Sequence, residues 1–143
     1  IILDNNLNTK TNSYIFKTAN KNNTIIFYNK ADNRKITLFK KKGFRLIKSN
    51  LTKIKYFDLK LILKKLYKIG IRNILVEGGN NLSGSFLKEK LLNQFYLFKS
   101  PKLLTKSAPY KDFNHIKYLI QNYRIKSKIN IKLTTDTITL YKN

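Results

Sequence analysis

The chain has 143 residues, of which 42% are hydrophobic, a composition typical of a folded globular domain rather than a disordered segment. It contains no cysteine and a single histidine, which excludes a disulfide framework, a cysteine-based zinc site and a histidine metal cluster. No apolar run approaches the roughly 20 residues that a membrane-spanning helix needs. The first residues show no secretory signal pattern, so we expect a cytoplasmic protein.

The charge balance is strongly basic, with 30 Lys and Arg residues against 7 Asp and Glu residues and a formal net charge of +23. A basic surface can bind nucleic acid through counterion release. Specific readers of nucleic acid rely on arginine, however, and arginine occurs only at Arg34, Arg45, Arg72 and Arg124. Lysine is spread along the whole chain beside abundant asparagine and isoleucine, which indicates a general compositional bias. We therefore do not expect a nucleic-acid partner, although anionic small molecules would be attracted in either case.

The first half of the chain alternates short apolar runs with a helical pattern. Strands are predicted at Ile1–Asp4, Asn23–Asn29 and Phe44–Ile47. The Lys-rich segment Lys30–Lys42 predicts a weak helix or a strand-bearing loop. Phe57–Ile69 carries apolar residues at mostly helical spacing behind the capping residue Asp58, and Gly70 predicts the end of that helix.

The second half opens with a continuous apolar run, Ile71–Val76, which predicts a buried parallel strand. Glu77-Gly78-Gly79 follows it, and a second helical pattern covers Leu82–Leu92. Farther along, the sequence predicts an aromatic-rich strand at Gln94–Phe98, a loop at Leu103–Lys117, and an antiparallel hairpin with strands around Ile129–Leu133 and Thr137–Leu140 and a turn at Thr134-Thr135-Asp136. This order of helices and strands predicts an α/β sheet with right-handed crossovers and an antiparallel C-terminal edge.

The most informative feature is the pair Gly78 and Gly79, where a predicted strand ends and a predicted helix begins. In α/β proteins that turn faces the crevice where ligands bind. Glycine lets a ligand approach the backbone closely, and the N–H groups at the start of a helix suit phosphate. Short polar side chains follow at Asn80 and Asn81, and Ser83-Gly84-Ser85 keeps the first turn small enough for a pyrophosphate.

Two structural alternatives stay open at this point. The glycine pair can simply form a tight connection, and Glu77 can cap the helix or pair with one of the many lysines. A carboxylate directly after a buried strand is nevertheless costly without donors, which a ligand with N–H groups would supply. The lone His115 is predicted to be a surface or helix-end residue, and the aromatic strand Phe95–Phe98 is predicted to pack one face into the core.

The same segment resembles the reductase domain of the bifunctional riboflavin-biosynthesis deaminase/reductase. The resemblance is carried by Asn73-Ile74-Leu75-Val76-Glu77-Gly78-Gly79, Leu82, Ser85-Phe86-Leu87 and Leu91-Leu92-Asn93-Gln94. The start Ile1-Ile2-Leu3-Asp4, the strand end Ser100-Pro101 and the closing strand Asp136–Leu140 match the family pattern in the same order. The similarity therefore covers nearly the whole chain.

The resemblance implies a dihydrofolate-reductase-like α/β fold, with a mostly parallel twisted sheet flanked by helices and an antiparallel C-terminal hairpin. It implies a homo-oligomeric enzyme that uses NADPH to reduce 5-amino-6-(5-phosphoribosylamino)uracil to the ribitylamino product. Carried over position by position, Glu77 would contact the substrate and Asn5 would contact NADP. The rest of the NADP site would be lined by Gly79, Asn80, Asn81, Leu82, Ser83, Gly84 and Ser85. No catalytic acid can be named from these residues, and no metal site is expected.

The sequence also departs from the family pattern. The family's opening strand–helix units have no counterpart, and without cysteine there is no zinc-binding deaminase domain. We therefore expect residues 1–143 to form a single, partial reductase domain. Asn93-Gln94 replaces the family's Asp-Glu, and Thr105 replaces a glycine. Three other interpretations stay open: another dihydrofolate-reductase-like reductase, a basic nucleic-acid-binding module, and a non-catalytic chain completed by another polypeptide.

Overall fold

The computed structural model describes residues 1–102, 113–131 and 135–143. Within these ranges the chain forms two compact units, Ile1–Arg72 and Asn73–Asn143. The first unit contains β1 (Ile2–Leu3), α1 (Tyr14–Thr18), β2 (Ile25–Tyr28), α2 (Asn33–Lys42), β3 (Arg45–Lys48) and α3 (Leu59–Lys68). The second unit contains α4 (Asn80–Lys88), β4 (Gln94–Lys99), α5 (Ile116–Asn122), β5 (Ile125–Ile129) and β6 (Thr137–Lys142).

The first unit is built on a parallel sheet with the strand order β1–β2–β3. In the central strand β2, Ile26 pairs with Ile2 on one side and with Leu46 on the other. Ile26 and its neighbour Phe27 are both fully buried, and adjacent residues of a strand point to opposite faces. The sheet is therefore covered on both faces, as parallel sheets generally are.

Each face of this sheet has its own hydrophobic cluster. One cluster contains Ile26 and Leu7 together with Phe16, Phe39 and Phe44, whose ring centroids lie 5.1, 5.2 and 5.4 Å apart. The other contains Phe27, which packs against Ile62 and Leu66 of α3. Helices α1 and α2 thus cover one face of the sheet, and α3 covers the other.

Local signals in the sequence set the ends of the helices in this unit. The N–H of Leu61 donates to Oδ1 of Asp58 at 2.9 Å, and the N–H of Lys35 donates to Oδ1 of Asp32 at 2.8 Å. Because the first N–H groups of a helix have no partner within it, each such cap stabilises the helix by about 1 kcal/mol. The predicted cap at Asp58 is confirmed. Gly70 follows the end of α3 with a positive φ of 91°, as its predicted role as a helix stop requires.

The second unit is built on an antiparallel sheet with the strand order β4–β6–β5. Its core contains Leu87 of α4, Leu119 of α5, Tyr123 directly after α5, and Tyr141 of β6. Strands β5 and β6 pair antiparallel, so the predicted C-terminal hairpin is confirmed, but its first strand ends at Ile129, where the predicted strand began. Residues 132–134, which include part of the predicted hairpin strand and turn, lie outside the described residues, as do residues 103–112 of the predicted loop.

The prediction of a buried parallel strand at Ile71–Val76 is wrong. In the part of the chain that the structure describes, this segment pairs with no strand, and the side chains of Ile74 and Leu75 are 38% and 81% exposed. An apolar run becomes a strand only where a neighbouring strand offers hydrogen-bonding groups, and that neighbour is not encoded in the run itself.

The predicted α/β class is confirmed, with parallel strands flanked by helices and an antiparallel C-terminal hairpin. The described strands differ from the prediction in one respect, because they form two sheets, one parallel and one antiparallel, instead of one continuous sheet. Across residues 1–102, 113–131 and 135–143, no helix is both long and apolar enough to cross a membrane.

Gly43 and Gly70 both have positive φ angles, 106° and 91°, but only Gly43 is crowded. A Cβ atom at Gly43 would lie 3.0 Å from Cα of Asn20 and 3.3 Å from the carbonyl oxygen of Ala19, whereas a Cβ atom at Gly70 would meet nothing within 4 Å. We expect Gly43→Ala to lower the free energy of unfolding of the first unit by roughly 2 kcal/mol or more, because left-handed strain and a backbone clash add together. Gly70→Ala, the matched control, carries only the strain and should cost about 1 kcal/mol. Urea unfolding of both variants measures the difference, and equal costs would contradict the role of crowding.

Candidate functional site

The loop that follows β1 is closed by the carboxylate of Asp4. Its Oδ1 accepts a hydrogen bond from the N–H of Asn8 at 2.8 Å, and its Oδ2 accepts from the N–H and the hydroxyl of Thr9 at 2.7 and 2.8 Å. Leu7, which has a positive φ of 53°, is buried in the core beneath this loop. The conformation of residues 4–9 is therefore held by the hydrogen bonds of Asp4 and by the burial of Leu7.

These hydrogen bonds also set the acidity of Asp4. Burial alone would raise the pKa of the carboxyl group, but the hydrogen bonds from Asn8 and Thr9 stabilise the charged form more strongly. The pKa of Asp4 is consequently held below its ordinary value of 3.8.

Asn5 lies directly at the carboxyl end of β1. Its carbonyl oxygen accepts hydrogen bonds from the N–H groups of Asn29 and Lys30, at 2.9 and 3.1 Å, and so joins the ends of β1 and β2. Its side-chain Oδ1 is buried and accepts no hydrogen bond from the residues that the structure describes. A buried oxygen of this kind is costly unless a donor reaches it, so Asn5 is suited to contact a ligand with hydrogen-bond donors.

Further polar residues, which the sequence did not predict as site residues, lie at the same edge of the sheet. Nδ2 of Asn29, after β2, donates to the carbonyl oxygen of Ser49, after β3, at 3.1 Å. The ammonium group of Lys65 donates to the carbonyl oxygen of Lys48 at 3.0 Å. Because the carboxyl ends of parallel strands meet at one edge, the residue after each strand was the signal that could have identified Asn29 and Ser49.

In the second unit, the two glycines of the Glu-Gly-Gly segment have different surroundings. A Cβ atom at Gly78 would lie 2.7 Å from Cδ2 of Leu82, whereas a Cβ atom at Gly79 would meet nothing within 4 Å. Neither residue has a positive φ. Gly78 therefore permits close packing on α4, while neither packing nor backbone conformation requires glycine at position 79.

Gly79 is also the residue that precedes α4, and no side chain among the described residues caps this helix. The N–H groups of Asn81 and Leu82 lie in the first turn, where the helix itself supplies no acceptor. With the partial positive charge of the helix end, this turn is suited to an anionic ligand that approaches past Gly79. The exposed Glu77 neither caps α4 nor forms an ion pair with the described residues, so neither structural alternative is seen there. Because Glu77 is exposed and follows no strand, the predicted cost of burying this carboxylate does not arise either.

The polar side chains of the first turns of α4 bond to nearby groups. Nδ2 of Asn80 donates to Oδ1 of Asn114 at 2.9 Å. The hydroxyl of Ser83 donates to the carbonyl oxygen of Gly78 at 3.3 Å, and that of Ser85 donates to the carbonyl oxygen of Asn81 at 2.9 Å. Both hydroxyl groups are thus engaged with carbonyl groups of their own segment, which leaves mainly the backbone N–H groups of the helix to bind a ligand.

Most of the predicted site residues lie together because they are consecutive in the sequence. Glu77 and the segment Gly79–Ser85 are consecutive in the second unit, whereas Asn5 belongs to the first unit. His115, predicted as a surface or helix-end residue, lies at the N-cap position of α5. Each unit therefore contributes a polar, donor- or acceptor-bearing element of its own at the end of a strand or the start of a helix.

The fold corresponds to that of several solved proteins. Two solved structures of RibD from Acinetobacter baumannii match 99% of this chain and 36% of theirs, at 20% identity, with TM-scores of 0.63 and 0.62. A pyrimidine reductase-like protein from Corynebacterium diphtheriae matches 98% of this chain and 58% of its own, at 15% identity and a TM-score of 0.66. At these identities the likeness establishes the fold.

The sequence establishes the family. The family model described as the RibD C-terminal domain matches residues 1–125, and the chain belongs to this family. The riboflavin biosynthesis protein RibD of Aquifex aeolicus is 29% identical over 142 residues, which are 99% of this chain and 38% of the relative. The RibD protein of Actinobacillus pleuropneumoniae is 30% identical over 73% of this chain and 27% of its own length. The chain thus spans well under half the length of these relatives. The family match covers the whole of the first unit and part of the second.

The hydrogen bonds that the Asp4 carboxylate accepts predict that the folded protein loses stability in acid. Asp4→Asn should lower the free energy of unfolding at neutral pH by roughly 1 kcal/mol, because the charged acceptor is lost from a partly exposed site. Since the folded-state pKa is lowered, this contribution is present at pH values above 3.8 and disappears as the pH falls through the folded-state value. Chemical unfolding of both proteins between pH 3 and 7 measures the effect. The exposed Asp136→Asn serves as the control, and a wild-type advantage that grew on acidification would contradict the assignment.

Proposed function

We propose that this chain is part of an NADPH-dependent reductase that converts 5-amino-6-(5-phosphoribosylamino)uracil to its ribitylamino product in riboflavin biosynthesis. The observation that carries the proposal is the family match over residues 1–125, which includes the Glu-Gly-Gly segment at the start of α4. When bound, NADPH supplies a hydride, which together with one proton converts the ribosyl chain to a ribityl chain.

The surroundings of the proposed cofactor residues fit a dinucleotide. Gly79 leaves open space at the start of α4, and the first turn of that helix has no side-chain cap. These features suit a pyrophosphate, which the N–H groups of Asn81 and Leu82 would hold. In the first unit, considered by itself, the buried Oδ1 of Asn5 is suited to accept a hydrogen bond from a ligand with N–H or O–H groups.

The chain's own residues act chiefly by binding and orientation. The N-terminal turn of α4 would fix the phosphate groups, and the exposed carboxylate of Glu77 would accept hydrogen bonds from the N–H groups of the pyrimidine substrate. Holding the hydride donor and acceptor in register is itself a large source of rate acceleration. Glu77 is therefore assigned to substrate binding and Gly79–Ser85 to the cofactor.

Substitution of Gly79 tests the cofactor site. Because Gly79 has an ordinary φ of −67° and open surroundings, Gly79→Val should leave the fold intact while its side chain fills the approach to α4. We expect NADPH affinity to fall by more than roughly tenfold, and Gly79→Ala, which adds only one methyl group, to cause a smaller loss. Fluorescence titration of the purified chain with NADPH, with NADH as competitor, measures the affinity. Equal NADPH affinity in wild type and Gly79→Val would contradict the placement.

Substitution of Glu77 tests the substrate role separately. Glu77→Gln should weaken binding of the phosphoribosylaminouracil substrate by roughly tenfold, because an amide replaces a charged acceptor, and should leave NADPH affinity unchanged. Glu89→Gln, which removes the only other glutamate, is the matched control and should affect neither ligand. A loss of NADPH affinity in Glu77→Gln would instead assign this carboxylate to the cofactor.

An oligonucleotide competitor addresses the net charge of +23. If the chain is a reductase, oligonucleotide binding at moderate salt should be weak and should leave the NADPH titration unchanged. Tight oligonucleotide binding that collapses with salt, together with no affinity for NADPH in a folded chain, would replace the reductase proposal by a nucleic-acid-binding function.

A further inference from the structure

The imidazole ring of His115 fills the space that a side chain at Gly84 would occupy. Gly84 lies buried within α4, and a Cβ atom there would be 2.6 Å from Cε1 of His115 and closer still to Nε2 and Cδ2. Glycine disfavours a helix relative to alanine, so Gly84 does not stabilise α4 by itself. The absence of a side chain at this position lets another segment pack directly against the helix.

The segment that approaches is held by its own neighbours. The ring of His115 lies between Phe113 and Tyr118, with centroid distances of 5.8 and 5.9 Å. Next to it, Oδ1 of Asn114 accepts the 2.9 Å hydrogen bond from Asn80. Residues 80 and 84 lie on the same side of α4, one turn apart. Asn114 and His115 therefore contact the same side of the helix, close to its start.

A further contact secures the other end of the same helix. Nδ2 of Asn122, at the end of α5, donates to the carbonyl oxygen of Leu87 at 2.8 Å, and the fully buried Leu87 and Leu119 pack together. No side chain of the described residues caps the start of α4, and Asn114 and His115 contact the helix near this end.

We propose that His115, together with Asn114, is a positioning residue for NADPH binding: it holds the first turn of α4 where its N–H groups meet the cofactor. This inference rests on the function proposed above. His115 acts through the helix and not by touching the cofactor, so its effect should be visible in the helix even when no cofactor is present.

The test compares Gly84→Ala, His115→Ala and the double variant in the intact chain by amide hydrogen exchange. The N–H of Ser83, which donates to the carbonyl oxygen of Gly79 at 3.2 Å, reports on the first turn of α4. The N–H of Tyr123 in the second unit and that of Ile62 in the first unit report on the remaining fold. We expect Ser83 to exchange at least roughly tenfold faster in both single variants, with Tyr123 and Ile62 unchanged.

The double variant tests whether the two residues act through one contact. If Gly84→Ala acts by expelling the imidazole ring, then adding it to His115→Ala should cause little further loss, so the two effects should not add. His115→Phe, which keeps a flat ring in the same space, should restore most of the Ser83 protection. Additive effects, or no rescue by phenylalanine, would overturn the proposed contact.

NADPH titration of the same proteins completes the test. The expected result is a dissociation constant at least roughly tenfold higher in Gly84→Ala and His115→Ala, with recovery in His115→Phe. Unchanged NADPH affinity in variants with faster Ser83 exchange would overturn the role of His115. A wild-type chain with normal Ser83 protection that binds no NADPH would overturn the proposed function, and with it this role.

Discussion

The central strand of the parallel sheet must bury both of its faces, and the rest of the first unit is arranged around this requirement. Ile26 and Phe27 are adjacent in sequence and fully buried on opposite sides. Helices are therefore needed on both faces, and the crossover connections leave the carboxyl ends of the strands together at one edge. The polar residues Asn5, Asn29 and Ser49 lie at that edge. The packing of apolar side chains on the two faces therefore determines which edge of the sheet can bind a ligand.

In the second unit, the candidate site is the start of α4, a helix that no side chain of the described residues caps. A capping side chain would occupy the N–H groups that a phosphate needs. The structure stabilises α4 from the side instead, through the segment before α5 and through α5 itself. Stability and ligand access are thus separated: one side of α4 is buried against α5, while the end of α4 stays accessible past Gly79.

Most of the elements could be predicted because their signals are local. The cap at Asp58, the stop at Gly70 and the alternation of the C-terminal hairpin each depend on residues only a few positions apart. The site segment from Glu77 to Ser85 was also found in this way, since its glycines stand out at the start of a helical pattern. The failure at Ile71–Val76 has the opposite cause, because a strand depends on hydrogen bonds to a neighbour distant in sequence.

By itself, the sequence determined the helices α3 and α4, the three strands of the first unit, the α/β class and the position of the Glu-Gly-Gly segment before α4, whereas α1 and α5 were not predicted. The predicted features follow from periodicity, capping residues and glycines, which act over a few residues. Tertiary structure alone decided which of Gly78 and Gly79 is open and that His115 packs on Gly84. It also decided that the side-chain oxygen of Asn5 finds no hydrogen-bond donor among the described residues. Such facts depend on which distant segments meet, and close packing of those segments leaves no trace in the spacing of residues along the chain.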